Sequence, residues 1–183
     1  MHQRVLVGAL VTAISGAAVA DSFDINLNND AVQATYTANL RTAEFNVGLI
    51  SNDEKDSWVA SLGLLAVGQK QTQNLRSEIG VGGKVYLVSV GDADIRALGL
   101  GGQVRAFPNN GPIGLGAYLF YAPDVVTSGD GESFWEGGVS VEAEVVKNTA
   151  SVYVGYRKVR TEIENGPHVT VDSGGHVGLR ISF

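Results

Sequence analysis

The last eight residues of the chain, at positions 176–183, read HVGLRISF. With a period of two, one face of this stretch is apolar and carries Val177, Leu179, Ile181 and Phe183. The other face carries His176, Gly178, Arg180 and Ser182. A strand with one apolar and one polar face is half buried, either against the core of a soluble protein or between lipid and a polar lumen.

A final Phe with apolar residues two, four and six positions before it is similar to the carboxyl-terminal assembly signal of bacterial outer-membrane proteins. We therefore expect Val177, Leu179, Ile181 and Phe183 to form such a signal on the closing strand of a barrel. The barrel-assembly machinery is then an expected partner during biogenesis. A soluble edge strand is the alternative interpretation.

The amino-terminal segment has the features of an export signal in the right order. A short basic start precedes an apolar run over residues 5–16, and Ala18-Val19-Ala20 is a small-residue cleavage site. The run is too short to span a bilayer as a helix. We expect residues 1–20 to be a cleaved signal peptide and residues 21–183, starting at Asp21, to be the exported domain. A buried amino-terminal helix is the alternative.

Composition restricts the compartment and the partners. The chain has no cysteine, so it forms neither a disulfide nor a lipid-modified cysteine at the cleavage site. An exported protein of this kind belongs in the periplasm, the medium or the outer membrane of a Gram-negative cell. The chain has 13 Lys and Arg against 19 Asp and Glu, a formal net charge of −6. This charge argues against nucleic acid as a partner, because phosphate binding needs a basic face.

Alternation of apolar and polar residues recurs in about ten segments, and no helical periodicity of useful length interrupts it. We predict an all-β, closed, antiparallel, up-and-down transmembrane barrel of about ten strands, whose even number returns the carboxyl terminus to the periplasmic side. The first segment, residues 23–27, is shorter than the roughly nine to eleven residues of a spanning strand. Eight strands are therefore the alternative. Connections are predicted at residues 28–30, 52–56, 69–77, 91–94, 108–112, 123–133, 147–149 and 165–173.

The two faces of these segments differ in the side chains that they carry. Four aromatic residues lie near strand ends on the apolar face, where outer-membrane barrels have aromatic girdles: Trp58, Tyr121, Trp135 and Tyr156. Ordinary core packing is the alternative. The polar face is rich in Gly and Ser, which suit a narrow lumen, and carries seven charges: Glu78, Lys84, Arg105, Glu142, Glu144, Arg157 and Arg180. A soluble barrel with the faces inverted fits the alternation equally well, but the regular apolar face and the terminal Phe183 favour the membrane barrel.

Six segments, in order along the chain, resemble the YfaZ-type outer-membrane proteins of proteobacteria. They are DAV (30–32), ASLGL (60–64), GVGGK (80–84), YAPDV (121–125), SVYVGYR (151–157) and VDSGGHVGLRISF (171–183). The resemblance covers nearly the whole exported chain and implies an outer-membrane barrel. Outer-membrane lipid and lipopolysaccharide are then expected partners. The resemblance implies no activity and no ligand.

No catalytic, metal or cofactor site is predicted. Without cysteine, and with only His168 and His176 after the signal, the chain is unsuited to a structural zinc site. Carboxylates in residues 128–132 offer calcium ligands, but their spacing matches no EF-hand, and a solvated acidic loop is favoured. A lipid-modifying enzyme needs a hydroxyl nucleophile and a base within hydrogen-bond reach and open to lipid, and the sequence places neither histidine beside a serine.

Two functions remain in competition. One is a structural or surface-interaction barrel whose lumen charges pair and whose interior is filled by side chains, Tyr86, Tyr118, Phe120 and Tyr153 among them. The other is a narrow, charge-lined passage for small solutes. We expect the closed barrel, because small barrels are filled by side chains.

Overall fold

The computed structural model describes residues 21–163 and 168–183. The predicted signal peptide, residues 1–20, lies outside them. The strands are β1 Ser22–Leu27, β2 Ala31–Leu40, β3 Ala43–Asn52, β4 Ser57–Gln71, β5 Leu75–Val90, β6 Ala93–Pro108, β7 Ile113–Ala122, β8 Thr127–Gly129, β9 Gly131–Val146, β10 Ala150–Ile163 and β11 His168–Ser182. A 3-10 helix, Asp124–Val126, precedes β8. In the described part of the chain, no helix has the length and apolar character needed to cross a membrane.

Ten of these strands close into an antiparallel barrel. Each strand from β1 to β6 pairs with the next, β7 pairs with β9, β10 joins β9 to β11, and β11 pairs with β1. The three-residue β8 pairs with the loop-end part of β6. The predicted closed barrel of about ten strands is confirmed. The eight-stranded alternative is wrong, because all six residues of β1 pair both with β2 and with β11.

The two ends of the barrel are distinguished by the chain termini. Both Asp21 and Phe183 lie at one end, here called the terminal end, together with the turns at residues 41–42, 72–74, 109–112 and 147–149. The opposite end, here called the loop end, carries the connections at residues 28–30, 53–56, 91–92 and 123–130. By the usual arrangement of bacterial barrels, the terminal end faces the periplasm.

Three predicted connections are largely strand in the structure. β4 runs to Gln71 and β5 begins at Leu75, so the predicted connection 69–77 is a three-residue turn. β11 begins at His168, inside the predicted connection 165–173, and the segment 123–133 contains β8 and the start of β9. The sequence missed these extensions because strand pairing continues where the outward side chains become polar, so the alternation of apolar and polar residues is lost while the backbone hydrogen bonds persist.

The apolar face is on the outside of the barrel and the charged face is inside. The outward side chains of Leu64, Leu100 and Leu115 are 60%, 66% and 62% exposed, whereas the inward Arg157 and Glu142 are 0% and 2% exposed. A soluble barrel needs the reverse arrangement, since exposed apolar surface in water is unfavourable on this scale. The exterior is that of a protein surrounded by lipid.

Candidate functional site: the barrel lumen

The lumen is divided into an apolar half and a polar half. The apolar half lies toward the loop end and is here called the plug. It consists of Ala31, Ile50, Val59, Leu65, Tyr86, Val88, Ile95, Ala97, Phe120, Ala122, Phe134, Val159 and Val171. Tyr86, Phe120 and Phe134 are completely buried, and the ring centroids of Tyr86 and Phe134 are 4.4 Å apart. Packed side chains therefore fill the loop-end half of the barrel.

Of the four aromatic residues expected to occupy the lumen, Tyr86 and Phe120 belong to the plug. Tyr118 packs against the plug and also lines the polar half, and Tyr153 lines the polar half. The plug also explains why the inner face of β4 is less polar than that of the other strands. Leu65 points inward because it packs in the plug, and Val67 packs against it. Apolar residues at inward positions were the signal that sequence reasoning left unused.

The polar half is a cavity of about 410 Å³ that lies toward the terminal end. Its wall includes Asn148 and Thr149 of a terminal-end turn, both exposed, and Ser182 at the end of β11. At its inner end, the wall includes Tyr118 and Glu136, whose neighbours belong to the plug. The cavity is thus open at the terminal end and blind at the plug.

A buried ion pair lies between β10 and β11. The Arg157 Nε atom is 2.6 Å from Asp172 Oδ2, and both side chains are almost completely buried. Arg157 Nη1 also donates hydrogen bonds to Asn26 Oδ1, at 2.6 Å, and to Gln33 Oε1. Asn28 Nδ2 donates to the second Asp172 oxygen at 2.9 Å. Buried charges are tolerated when they are paired and hydrogen-bonded in this way, and the cluster ties β1, β2, β10 and β11 together.

A second charge network crosses the polar half of the lumen. Glu142 of β9 accepts hydrogen bonds from Arg105 of β6, at 2.7 Å, and from Arg180 of β11, at 3.0 Å. Arg180 also lies 3.0 Å from Asp24 of β1, which accepts a 2.6 Å hydrogen bond from the Tyr153 hydroxyl. Arg180 and Asp24 lie in register on neighbouring strands, whereas the contacts of Glu142 with Arg105 and Arg180 and of Tyr153 with Asp24 each reach over one intervening strand, so the network braces the wall beyond adjacent pairs.

Further pairs lie at the two ends of the cavity. At the inner end, Lys84 Nζ is 3.9 Å from Glu136 and 4.3 Å from the centroid of the Phe120 ring, a cation–π contact. Glu136 also accepts a 2.9 Å hydrogen bond from the Tyr86 hydroxyl, which connects the charged wall to the plug. At the mouth, Arg76 Nη2 lies 2.7 Å from Glu144. Each of these cations has a carboxylate partner.

The structure places all seven predicted lumen charges on the inner face, and brings Arg105, Glu142 and Arg180 together. Arg157 instead pairs with a residue outside the predicted set. Five more charged residues face inward, namely Asp24, Glu44, Arg76, Glu136 and Asp172. The predicted set has four basic and three acidic residues, but with these five added, acidic side chains outnumber basic ones. Arg76 and Asp172 were missed because they fall in predicted connections that are strand.

The four aromatic residues predicted as a girdle all lie on the outer face, three of them toward the loop end and Tyr156 near the middle of β10. Tyr121 and Trp135 are in register on β7 and β9, and Trp58 is the second residue of β4. After Tyr156, the outer face of β10 becomes polar with Lys158, whose Nζ lies 5.9 Å from the Trp135 ring centroid. This arrangement matches an interface between lipid and water at the loop end.

The closing strand contacts β1 through its outward residues. Val177, Leu179 and Ile181 are in register with Leu27, Ile25 and Phe23, in that order. Phe183 itself is 69% exposed on the terminal-end rim. The apolar residues of the predicted assembly signal therefore form one continuous lipid-facing surface with β1.

The acidic segment considered for calcium and the two histidines have structural contacts in the barrel. In the described residues, no group of three or more His, Cys, Asp and Glu side chains could hold a metal ion. In the segment considered for calcium, Asp130 Oδ2 accepts a hydrogen bond from the backbone of Asp94 at 2.9 Å. His168 lies 2.5 Å from Glu162 at an exposed position, and His176 packs edge-on against Tyr153 inside the lumen, with ring centroids 5.8 Å apart.

A closed barrel with an even number of strands, an apolar exterior and a charged interior is a transmembrane β-barrel of the outer-membrane class. The family model described as YfaZ precursor matches residues 2–183, and the chain belongs to this family. The resemblance found in the sequence is confirmed, and so is the outer-membrane location. The position of signal cleavage stays a prediction.

Among the solved structures that are similar to this chain are three that each share 13% sequence identity with it. The outer membrane channel DcaP of Acinetobacter baumannii has a TM-score of 0.36, with 87% of this chain and 54% of that chain covered, so this chain spans about half its length. The KdgM porin has a TM-score of 0.43, with 90% and 99% covered. OmpT (in-vitro folded), an outer membrane protein of Vibrio cholerae, has a TM-score of 0.32, with 83% and 64% covered. No curated protein matches the chain in sequence.

Proposed function

We propose that this protein is a non-conducting outer-membrane barrel with a structural or surface-interaction role and no catalytic activity. The plug is the observation that carries the proposal. Tyr86, Phe120 and Phe134 are fully buried against one another and against aliphatic side chains from the other strands. A hydrated ion cannot pass a region packed at this density without displacing these side chains.

The expected partners of the protein are the outer-membrane components that surround it. The exposed apolar exterior fits the acyl chains of outer-membrane lipid, and Lys158 and Arg160 on the outer face of β10 are suited to the anionic groups of lipopolysaccharide. The apolar closing strand fits recognition by the barrel-assembly machinery during biogenesis. Nucleic acid remains an unexpected partner for so acidic a chain.

A narrow small-solute channel is the second candidate, and the polar cavity is the observation that favours it. The cavity occupies the terminal-end half of the lumen and is lined by paired charges. Conduction would need the plug to move, however, and the ring of Phe120 is anchored from below by the Lys84 ammonium. Conduction therefore requires a second conformation in which at least the side chains of Tyr86, Phe120 and Phe134 have moved.

Planar bilayers distinguish the two candidates. Refolded protein should give no steady conductance, whereas the double substitution Phe120→Ser with Phe134→Ser should open the plug and produce one. Tyr121→Ser is the matched control, because Tyr121 follows Phe120 in β7 but faces lipid. Large, reproducible steps from the unsubstituted protein, with ion selectivity that changes on Arg105→Glu, would establish the channel and overturn the closed barrel.

A further inference from the structure

We propose that a groove on the lipid-facing wall of the barrel binds one molecule of lipopolysaccharide, with an acyl chain in the groove and a phosphate group at Lys158. The inference rests on the outer-membrane setting of the proposed function and deepens it, because it assigns the lipid contact to one place on the exterior. Two independent observations carry it. One is the shape of this part of the wall, and the other is the charge beside it.

The groove crosses the outer face of β5, β6, β7, β9 and β10 and has a volume of about 660 Å³. One row of its residues, in register from strand to strand, consists of Val81, Gly102, Leu119, Gly137 and Lys158. The row therefore leads from an aliphatic side chain on β5, through two glycines, to a cation on β10.

Small outward residues form the floor of the groove. They are Gly102, Ala117 and Gly137, on three strands that otherwise present mostly larger side chains to the outside. Leu119 and Trp135 border the floor, since a Cβ atom on Gly137 would lie 3.1 Å from Leu119 Cδ1 and 3.4 Å from Trp135 Cζ3. A flexible acyl chain makes more dispersion contacts in such a recess than on the convex wall around it.

The groove is apolar except at one end. Of the described residues that line it, only Lys158 carries a formal charge. The Lys158 Nζ atom lies 5.9 Å from the centroid of the Trp135 ring, and tryptophan side chains prefer the level where lipid headgroups begin. The groove thus has the polarity of a lipid molecule, with a long apolar part and a charge at the headgroup.

Two outward cations beside the groove have no internal counter-ion. Lys158 and Arg160 are consecutive outward residues of β10, and among the described residues neither has a carboxylate oxygen within 4.0 Å. The next outward carboxylate on this strand, Glu162, lies 2.5 Å from His168 instead. Cations at this level of a membrane are complementary to anionic headgroups.

The position of the cations identifies the lipid. β10 begins at the terminal-end turn 147–149, and Lys158 and Arg160 lie in its loop-end half. With the terminal end in the periplasm, this half lies in the outer leaflet, whose lipid is lipopolysaccharide. The lipid A part of lipopolysaccharide combines phosphate groups with acyl chains. Two cations at one end of an apolar groove match that combination, because Lys and Arg both bind phosphate through charge-assisted hydrogen bonds.

Contact quenching of tryptophan by brominated acyl chains tests the proposal. The chain has two tryptophans, so Trp58→Phe leaves Trp135 as the reporter of the groove. Trp135→Phe leaves Trp58, on the outer face of β4 and outside the groove, as the matched control. The refolded full chain is held in neutral micelles that contain brominated phosphatidylcholine, and lipid A is added. Lipid A that replaces brominated lipid at a tryptophan restores its fluorescence.

Trp135 should recover at a ratio of lipid A to brominated lipid at least about fivefold lower than Trp58, the effect of one cation on an anionic headgroup. In the Trp58→Phe background, Lys158→Gln and Arg160→Gln should each reduce this preference about fivefold. Arg96→Gln should leave it unchanged, because Arg96 is an exposed outward cation toward the loop end of β6 that does not line the groove. Lipid A without its phosphate groups should show no preference.

Filling the groove provides a test that leaves both cations in place. Ala117→Phe should occupy the floor and reduce the preference for lipid A at Trp135. Ala60→Phe, an outward alanine of β4 outside the groove, is the matched control and should have no effect. Heat-dependent electrophoretic mobility shows which variants are folded.

The proposal is overturned if Trp135 and Trp58 recover at the same ratio, if the Lys158→Gln, Arg160→Gln double variant keeps the preference, or if phosphatidylglycerol restores Trp135 as effectively as lipid A. A protein that is dimeric in light scattering, with Trp135 shielded from brominated lipid at the outset, would assign the groove to a second copy of the chain. These variants leave the plug intact, so the conductance of the same preparations tests the closed barrel separately.

Discussion

The backbone N–H of Phe183 donates a 2.9 Å hydrogen bond to the carbonyl oxygen of Asp21, joining the last residue of the chain to the predicted first residue of the exported domain. The Asp21 carboxylate accepts hydrogen bonds from the Tyr36 hydroxyl, at 2.6 Å, and from the backbone N–H of Asn39, at 3.2 Å. The strand pair that closes the barrel is thus fixed at its terminal end by contacts to both chain ends.

Phe183→Ala should lower the yield of folded barrel in the outer membrane, because it removes the last apolar side chain of the closing strand. A polar extension after Phe183 should have the same effect. Heat-dependent mobility of membrane fractions measures the folded yield. Val125→Ala is the matched control, since Val125 is 87% exposed on the loop-end 3-10 helix and outside the closing pair. An unchanged yield for both changes at position 183 would show that the closing strand does not need its terminal aromatic residue.

Phe120→Ala should destabilise the barrel by about 3–5 kcal/mol, the usual cost of truncating a fully buried Phe. The neighbouring Tyr121→Ala, on the lipid-facing side, should cost clearly less because its ring is 51% exposed. The free energy of unfolding in urea, measured in the same micelles for both variants, checks this. Equal losses for the two would mean that the plug is not tightly packed.

Arg157→Gln should cost about 3–5 kcal/mol of unfolding free energy, because it leaves Asp172 buried without its cation. The same substitution at the mouth, Arg76→Gln, should cost only about 0–1 kcal/mol, since the Arg76 side chain is 34% exposed and its ion pair is screened by water. Adding Asp172→Asn to Arg157→Gln should restore part of the loss. Similar values for Arg157→Gln and Arg76→Gln would contradict the assigned burial.

Gly82→Ala and Gly101→Ala should each destabilise the barrel by about 1–3 kcal/mol through overpacking. The two glycines are in register on β5 and β6, and added Cβ atoms would lie 2.1 Å from the Leu64 carbonyl oxygen and 2.0 Å from that of Leu119. Gly68→Ala, with nothing within 4 Å of the new Cβ, should stay within about 0.5 kcal/mol of the unsubstituted protein. Chemical unfolding of the three variants measures the difference. If alanine at positions 82 and 101 costs no stability, the neighbouring backbone does not approach these glycines as closely as the structure indicates.

Much of the fold could be predicted because the deciding signal is local. Successive side chains of a strand point to opposite faces, so alternation placed Leu64 and Leu100 on the apolar face and Glu142 and Arg157 on the polar face. The regularity of the apolar face and the terminal Phe183 then indicated that the apolar face is the exterior. The strand count followed from the same pattern. The choice between eight and ten strands stayed open because β1 is short. Its place in the barrel is decided by its pairing with β2 and β11, which the sequence does not show.

The sequence by itself therefore determined the barrel, its apolar exterior, its closing strand and most of its inward charges. Only the tertiary structure decided which charges pair, since Arg105 turns from its register neighbour Glu78 to Glu142 on the far side of β7. It also decided that Leu65, Phe120 and Phe134 meet in one plug while Glu44 and Glu78 share a cavity. These contacts join residues far apart in the sequence, and they form only when closure of the barrel fixes the register of all its strands and brings opposite walls within reach.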